Sequence, residues 1–152
     1  MSGPWVVGVD IGGTNLVIGL VPVEAGEPRG LRSRIIHPER GPDATVEEIG
    51  RMVAEATEET LTREGGVREH VVGAGIGCPG SIDRSRRLVR TTSNLGWVDY
   101  PIRGQIANVL QLPTVLDNDA NCATYAEWWR GAGRGVEHLV GITVGTGIGG
   151  GV

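Results

Sequence analysis

The sequence predicts an α/β domain with a mixed β-sheet, and three patterns along its 152 residues lead to this prediction. The chain opens with three short apolar segments joined by turns, as in an antiparallel meander. Helical patterns then alternate with short, apolar strand patterns. Near the end a second apolar hairpin follows, with a glycine-and-threonine turn like that of the first.

The meander comprises residues 5–11, 16–23 and 31–37. Only Gly12-Gly13-Thr14-Asn15 separates the first two segments, so the chain should reverse there in a tight β-hairpin. A turn at 24–30 leads to the third strand, which Pro38 ends.

The remainder of the chain predicts three helices and several short strands. The first helix has a capping box at Thr45 and Glu48 and stops at Gly65. The second, weaker helix covers 102–110 and the third covers 120–130. Strands are expected at 71–77, 113–116 and 138–144, with another starting at Ile148, and the segment 78–100 is expected to be a loop with one short strand at 88–91.

Composition excludes several classes of protein. All 14 basic residues are arginines, and Schiff-base enzymes, Walker A loops and protein-kinase cores each need a lysine. A net charge of −4 with scattered arginines gives no basic face for nucleic acid. Two cysteines are too few for a disulfide framework, and no apolar segment is long enough to span a membrane. We therefore expect a cytoplasmic protein with no nucleic-acid or membrane partner.

The first hairpin turn is a candidate phosphate site. Consecutive glycines let the backbone approach a ligand and aim N–H groups at an anion, and Thr14 and Asn15 add side-chain donors. Asp10 precedes this turn, where it could hold a divalent cation beside phosphates. One such turn alone would more often be a plain hairpin, but the later turn Gly145-Thr146-Gly147 repeats its chemistry.

A second candidate site is the acidic segment between a buried strand and the third helix. Ligands bind at such strand-to-helix junctions in open α/β sheets. Asp119 stands at the expected N-cap of the helix, so it could simply cap the helix or act as an ionised general base. We favour a functional Asp119 and a structural Asp117.

Six ordered motifs across the chain resemble those of the ROK family, and the bacterial glucokinases within it are the most similar. The motifs are Val9-Asp10-Ile11-Gly12-Gly13-Thr14-Asn15, Cys78-Pro79-Gly80-Ser81-Ile82-Asp83, Asn94-Leu95-Gly96-Trp97, Asp117-Asn118-Asp119-Ala120-Asn121-Cys122, Gly131-Ala132-Gly133-Arg134-Gly135 and Gly145-Thr146-Gly147-Ile148-Gly149-Gly150. The resemblance implies the actin-like, ribonuclease-H-like ATPase fold, with two lobes and ATP in the cleft. Residues 1–137 would be the N-terminal lobe and 138–152 the first hairpin of the second lobe.

The resemblance also implies roles for individual residues in transferring phosphate from ATP to the 6-hydroxyl of a hexose such as glucose. Asp119 looks like the base, and Asp10 looks like the residue near Mg²⁺. The sugar-lining positions would be Gly80, Asn94, Asn118 and Asp119, and the phosphate turns would be Gly12, Gly13, Thr14, Asn15, Gly145, Thr146 and Gly147. Two departures are Asn15, where many relatives have lysine, and the spacing from Asn94 to Trp97, which is one residue tighter than in many glucokinases.

The family's second lobe supplies a Glu/His pair for the sugar, a structural zinc cluster and the adenine pocket, none of which lies within these 152 residues. The chain is therefore expected to be an inactive N-terminal fragment of a protein that is a homo-oligomer at full length. Many ROK relatives are sugar-responsive transcriptional regulators, which is the main alternative. Such a regulator needs a helix-turn-helix before the first strand, where only Met1–Pro4 stand. An actin- or chaperone-like ATPase is disfavoured by Asn94 and the Asn118-Asp119 pair.

Overall fold

The computed structural model describes residues 3–24, 26–145 and 147–152. A five-stranded mixed sheet forms its centre, with strands β1 (Trp5–Ile11), β2 (Asn15–Pro22), β3 (Arg29–Ile35), β4 (Val71–Cys78) and β8 (Thr114–Asn118) in the order β3-β2-β1-β4-β8. The first three strands run antiparallel, whereas β4 is parallel to both β1 and β8. The predicted α/β class, mixed sheet and three-strand meander are confirmed.

Three helices flank the sheet: α1 (Gly41–Glu64), α2 (Ile102–Leu110) and α3 (Asp119–Arg130). Alternation along β1 and β2 directs one set of apolar side chains towards α1 and α2, where they form the core. Its fully buried members include Val7, Ile11, Leu16, Ile18, Leu20, Ile49, Met52 and Ile106. Helix α3 contacts β4 and the final hairpin instead.

Helix α1 begins four residues before the predicted capping box. Its N-cap is Arg40, which makes no side-chain capping bond, and a proline lies in the first turn. Thr45 is buried on the inner face of the helix rather than at its end. The capping-box prediction was therefore wrong, because the pattern of Thr and Glu also fits one face of a helix already under way. The predicted stop is right, since Gly65 ends α1 in a left-handed conformation at φ 69°.

The segment predicted as a loop contains a small antiparallel sheet of three strands, β5 (Ser81–Asp83), β6 (Leu88–Thr91) and β7 (Val98–Tyr100). Only β6 was expected. Strands of three residues carry too few alternating side chains for a recognisable period, and pairing with β6 is what defines them.

The chain ends in a separate hairpin of β9 (Gly141–Val144) and β10 (Ile148–Gly151). The strand β9 starts three residues later than predicted. Large apolar side chains of this hairpin remain uncovered, with Ile142 72% and Ile148 83% exposed. No helix in the described ranges is long and apolar enough to cross a membrane.

Candidate active site at the strand ends

The candidate residues meet at the carboxyl ends of the three parallel strands β1, β4 and β8. Register places Asp10 of β1 beside Gly77 of β4, and Gly77 beside Asp117 of β8. A Cβ atom on Gly77 would lie 3.5 Å from Cα of Asp119, so this face of the sheet points at the start of α3. Asp10 shares that face, because register partners project to the same side of a sheet. The fold therefore brings together Asp10 and Asp119, which are more than a hundred positions apart in sequence.

The two carboxylates interact electrostatically. Partial burial, followed by the negative charge of Asp119, raises the pKa of Asp10 above its ordinary value of 3.8. A second negative charge beside Asp10 is unfavourable unless a cation or a proton lies between them. This pattern of like charges at a strand end is typical of a site that takes a cation or moves a proton.

Both cysteines lie close enough to Asp10 and Asp119 for these carboxylates to affect their pKa values. Cys78 is fully buried, and burial together with Asp119 and Asp10 raises its pKa to about 12. The pKa of Cys122 is also raised, first by burial and then by Asp117. Both thiols are thus protonated at neutral pH and behave as small apolar groups. From the sequence we expected only that two cysteines are too few for a disulfide framework.

The first glycine turn packs directly on the Asn94 loop. Gly12 N–H donates to the carbonyl of Asn15 at 2.8 Å, which closes the turn. A Cβ atom on Gly13 would stand 2.8 Å from Nδ2 of Asn94. A side chain at position 13 would push the Asn94 amide aside, so the candidate phosphate turn and a candidate sugar residue lie in contact because position 13 is glycine. Thr14 and Asn15 are exposed beside them.

Asn118 joins the Gly80 loop to helix α3. Its Nδ2 donates to the carbonyl of Gly80 at 3.0 Å, and its Oδ1 accepts from the backbone N–H groups of Ala120 at 2.9 Å and Asn121 at 3.2 Å. Asn118 is therefore the N-cap of α3, and the prediction that Asp119 takes this place was wrong. The strand β8 extends two residues further than expected, which moves the helix start and leaves Asp119 as the first helical residue.

Gly80 itself has a geometry that only glycine tolerates. Its φ is +94°, and a Cβ atom would stand 2.1 Å from the carbonyl oxygen of Thr91. The loop carrying Gly80 can thus lie flat against the end of β6 and present its carbonyl to Asn118.

A residue that the sequence did not single out, Arg84, anchors the acidic segment from the β5–β6 turn. Its Nη2 donates to both oxygens of Asp117, at 2.8 and 3.1 Å, and Asn121 donates to the same carboxylate at 3.2 Å. Burial by itself would raise the pKa of Asp117, but these bonds and the Asn118 N–H outweigh it and lower the pKa. The Asp117 carboxylate thus serves to hold Arg84, Asn121 and the start of α3 together, which is a structural role. No local pattern distinguishes Arg84 from its neighbours Arg86 and Arg87, so sequence could not have found it.

The second glycine turn stands apart from the first. Gly145 N–H donates to the carbonyl of Gly147 at 2.9 Å, and both glycines are exposed. The remaining predicted member, Thr146, lies outside the described residues. No hydrogen bond within the described ranges joins this turn to residues 12–15.

A magnesium ion fits the site only as a partner of phosphates. Within the described part of the chain, no group of three or more His, Cys, Asp or Glu side chains is placed to hold a metal ion. Mg²⁺ commonly takes one or two carboxylates and completes its shell with water and substrate phosphates. Asp10 lies next to a glycine turn and forms no ion pair with any residue that the structure describes, so it suits that arrangement.

These features together define the fold class: the chain forms the first lobe of an actin-like ATPase fold. They are the strand order of the central sheet, the glycine turn after β1 and the acidic residues at the strand ends. The chain belongs to the ROK family, whose model matches residues 6–152.

Individual relatives agree with this assignment. The glucokinase of Thermotoga maritima is 37% identical over 147 residues, covering 96% of this chain and 43% of the relative. The structure of a ROK family glucokinase from Streptomyces griseus in complex with glucose and AMPPNP superposes with a TM-score of 0.82 at 34% identity, covering 96% of this chain and 43% of that one. The xylose repressor of Caldicellulosiruptor bescii is 30% identical over 106 residues, covering 70% of this chain and 27% of the relative. The chain thus spans less than half the length of each of these three relatives.

Proposed function

We propose that this chain is the N-terminal lobe of an ATP-dependent sugar kinase that phosphorylates the 6-hydroxyl of a hexose, with glucose as the preferred substrate. In this proposal residues 1–137 form the lobe, and 138–152 begin the second lobe. The main support is the convergence of Asp10, Asp119 and the Gly12-Gly13 turn on one edge of the sheet, with Asn94 against the turn. The glucokinase relatives and the glucose and AMPPNP complex of one of them favour glucose and ATP.

Phosphoryl transfer needs positioning and charge neutralisation more than covalent chemistry from the protein. The N–H groups and side chains of residues 12–15 would bind phosphate oxygens, and the turn at 145–147 would approach them from the second lobe. Asp10 would hold Mg²⁺, which supplies neutralisation of phosphate charge. Asp119 would accept the proton from the sugar 6-hydroxyl, while Asn94 and the Gly80 loop orient the sugar.

In this proposal Asn118 contributes less to sugar binding than its resemblance to a sugar-lining residue suggested. Its carbonyl oxygen already accepts two helix N–H groups, and one of its amide hydrogens is bonded to Gly80. One amide hydrogen remains for a sugar hydroxyl. Asn118 therefore acts mainly by fixing Asp119 and the Gly80 loop relative to each other.

The test replaces Asp119 with asparagine in the product of the complete reading frame and measures kcat and KM for glucose with Mg²⁺ and ATP. Asparagine has nearly the same shape but cannot take the proton, so kcat should fall by about 10²–10⁴-fold while KM changes much less. Asp117→Asn is the matched control and should leave kcat within about tenfold. A parent without kinase activity, or an Asp119→Asn variant keeping more than about a tenth of parental kcat, contradicts the proposal.

The 152-residue chain alone should form no measurable glucose 6-phosphate, because groups from both sides of a cleft are needed to align donor and acceptor. A sugar-responsive repressor is the second candidate, and the xylose repressor relative is the observation that favours it. The same experiment separates the two, since a repressor of this fold would bind sugar with Asp119 intact yet transfer no phosphate.

A further inference from the structure

The four residues that we propose for the sugar lie on two separate elements. Asn118 and Asp119 belong to the junction of β8 and α3. Gly80 and Asn94 belong to the small sheet, since Gly80 directly precedes β5 and Asn94 lies in the loop between β6 and β7. A sugar that contacts both pairs therefore requires the small sheet to keep a fixed position relative to the start of α3.

The small sheet holds its two sugar residues as one unit. The loop that carries Asn94 is closed at its base, where Thr92 N–H donates to the carbonyl of Trp97 at 3.1 Å and Trp97 N–H donates to Oγ1 of Thr92 at 2.9 Å. Gly80 lies against the end of β6, in a position that has no room for a side chain. Any shift of the small sheet should therefore move Gly80 and Asn94 together.

Two side-chain interactions join the small sheet to the β8–α3 junction within the described ranges. Nδ2 of Asn118 donates to the carbonyl of Gly80 at 3.0 Å, and Nη2 of Arg84 donates to the two oxygens of Asp117 at 2.8 and 3.1 Å. No backbone hydrogen bond between the described residues of the two elements adds to them. The position of one element relative to the other thus depends on these two side chains.

The ion pair of Arg84 connects a mobile type of element, a turn, to a firmly held carboxylate. Arg84 lies in the β5–β6 turn, and its side chain is 70% exposed, so it fills no space in the core. Asp117 also accepts from Asn118 N–H at 2.7 Å and from Nδ2 of Asn121 at 3.2 Å. An isolated exposed ion pair contributes little, whereas a guanidinium that contacts both oxygens of a carboxylate within a network of donors contributes more.

We propose that Arg84 is a positioning residue for the sugar, an inference that rests on the proposed function. Through Asp117 it holds the small sheet, with Gly80 and Asn94, against the β8–α3 junction. Asp117 is its hydrogen-bond and ion-pair partner among the described residues, and Arg84 makes no such bond to Asp119. Loss of Arg84 should therefore weaken sugar binding to the same extent in the ground state and the transition state, which raises KM and leaves kcat unchanged.

The experiment uses the product of the complete reading frame and measures KM and kcat for glucose, together with the Kd for glucose by calorimetry. Arg84→Gln should raise KM and Kd about threefold to tenfold, between the usual effects of an exposed ion pair and of a hydrogen bond to a charged group. Arg84→Lys keeps the charge and should recover most of the loss. Arg86→Gln removes the same charge from the same turn and is the matched control, because the Arg86 guanidinium forms no ion pair within the described ranges.

Asp117→Asn tests the same pair from its other side and should also raise KM, with kcat close to that of the parent. Because the two residues act through each other, the double variant with Arg84→Gln should bind glucose no more weakly than the weaker of the two single variants.

Three results would overturn the proposal: a KM and Kd of Arg84→Gln within about twofold of the parent's, an equal rise in Arg86→Gln, or additive losses in the double variant. A parent that binds glucose without transferring phosphate contradicts the kinase proposal alone, since the series of Kd values still tests Arg84. A parent that binds no glucose overturns both.

Discussion

Replacing Asn118 by alanine should destabilise the chain, because two separate interactions of the Asn118 side chain are lost. The side-chain oxygen caps α3 through two N–H groups, and the loss of such a cap costs about 1 kcal/mol. The side-chain nitrogen bonds the carbonyl of Gly80, and a bond of this type contributes about 1 kcal/mol. The free energy of unfolding should therefore fall by about 2 kcal/mol, which lowers Tm by about 4–8 °C in a chain of this length.

Asn118→Ser separates the two parts. Serine is as good an N-cap as asparagine, but its shorter side chain cannot reach Gly80. This variant should lose only about 1 kcal/mol, half of the effect of alanine. Asn108→Ala is the control, because Asn108 is exposed on α2, and alanine favours a helix, so stability should stay equal or rise slightly.

The measurement is equilibrium unfolding in urea, followed by circular dichroism, with the slopes compared among the variants. Equal stability of the alanine and serine variants would show that the cap contributes nothing. A loss below about 0.5 kcal/mol in Asn118→Ala would refute the inference that Asn118 fixes the Gly80 loop to α3.

Two further predictions concern charge and the exposed hairpin. The pKa of Asp10 is raised in the folded chain, so its carboxyl group lowers stability as the pH rises above 3.8. Asp10→Asn should therefore raise Tm at pH 7, and this gain should be lost well below pH 3.8; a lower Tm at pH 7 would contradict this. The exposed apolar side chains of the β9–β10 hairpin should cause the chain to self-associate as its concentration rises, which light scattering would detect. The double variant Ile142→Thr with Ile148→Thr should associate less. A parent chain that stays monomeric at high concentration would be inconsistent with this prediction.

The sequence by itself determined the order of the central strands and the three helices, and it named most residues of the candidate site. Apolar alternation in 5–11 and helical spacing up to Gly65 are local signals, since the period of the pattern follows directly from backbone geometry. The glycine turn at residues 12–15 is also a local signal, because two glycines at a hairpin indicate either a tight chain reversal or the close approach of another group to the backbone. Both occur at Gly13, although only the fold shows that the group that approaches the backbone is the Asn94 side chain.

Tertiary structure alone decided which distant residues meet and where the short elements end. The strands β5 and β7 exist because β6 pairs with them, and Asn118 replaces Asp119 as N-cap because pairing with β4 extends β8 by two residues. The Arg84–Asp117 ion pair joins residues 33 positions apart, and no local pattern encodes it. Contacts of this kind depend on strand register and on the face to which each side chain points, so their energies are set by the assembled sheet rather than by any single segment.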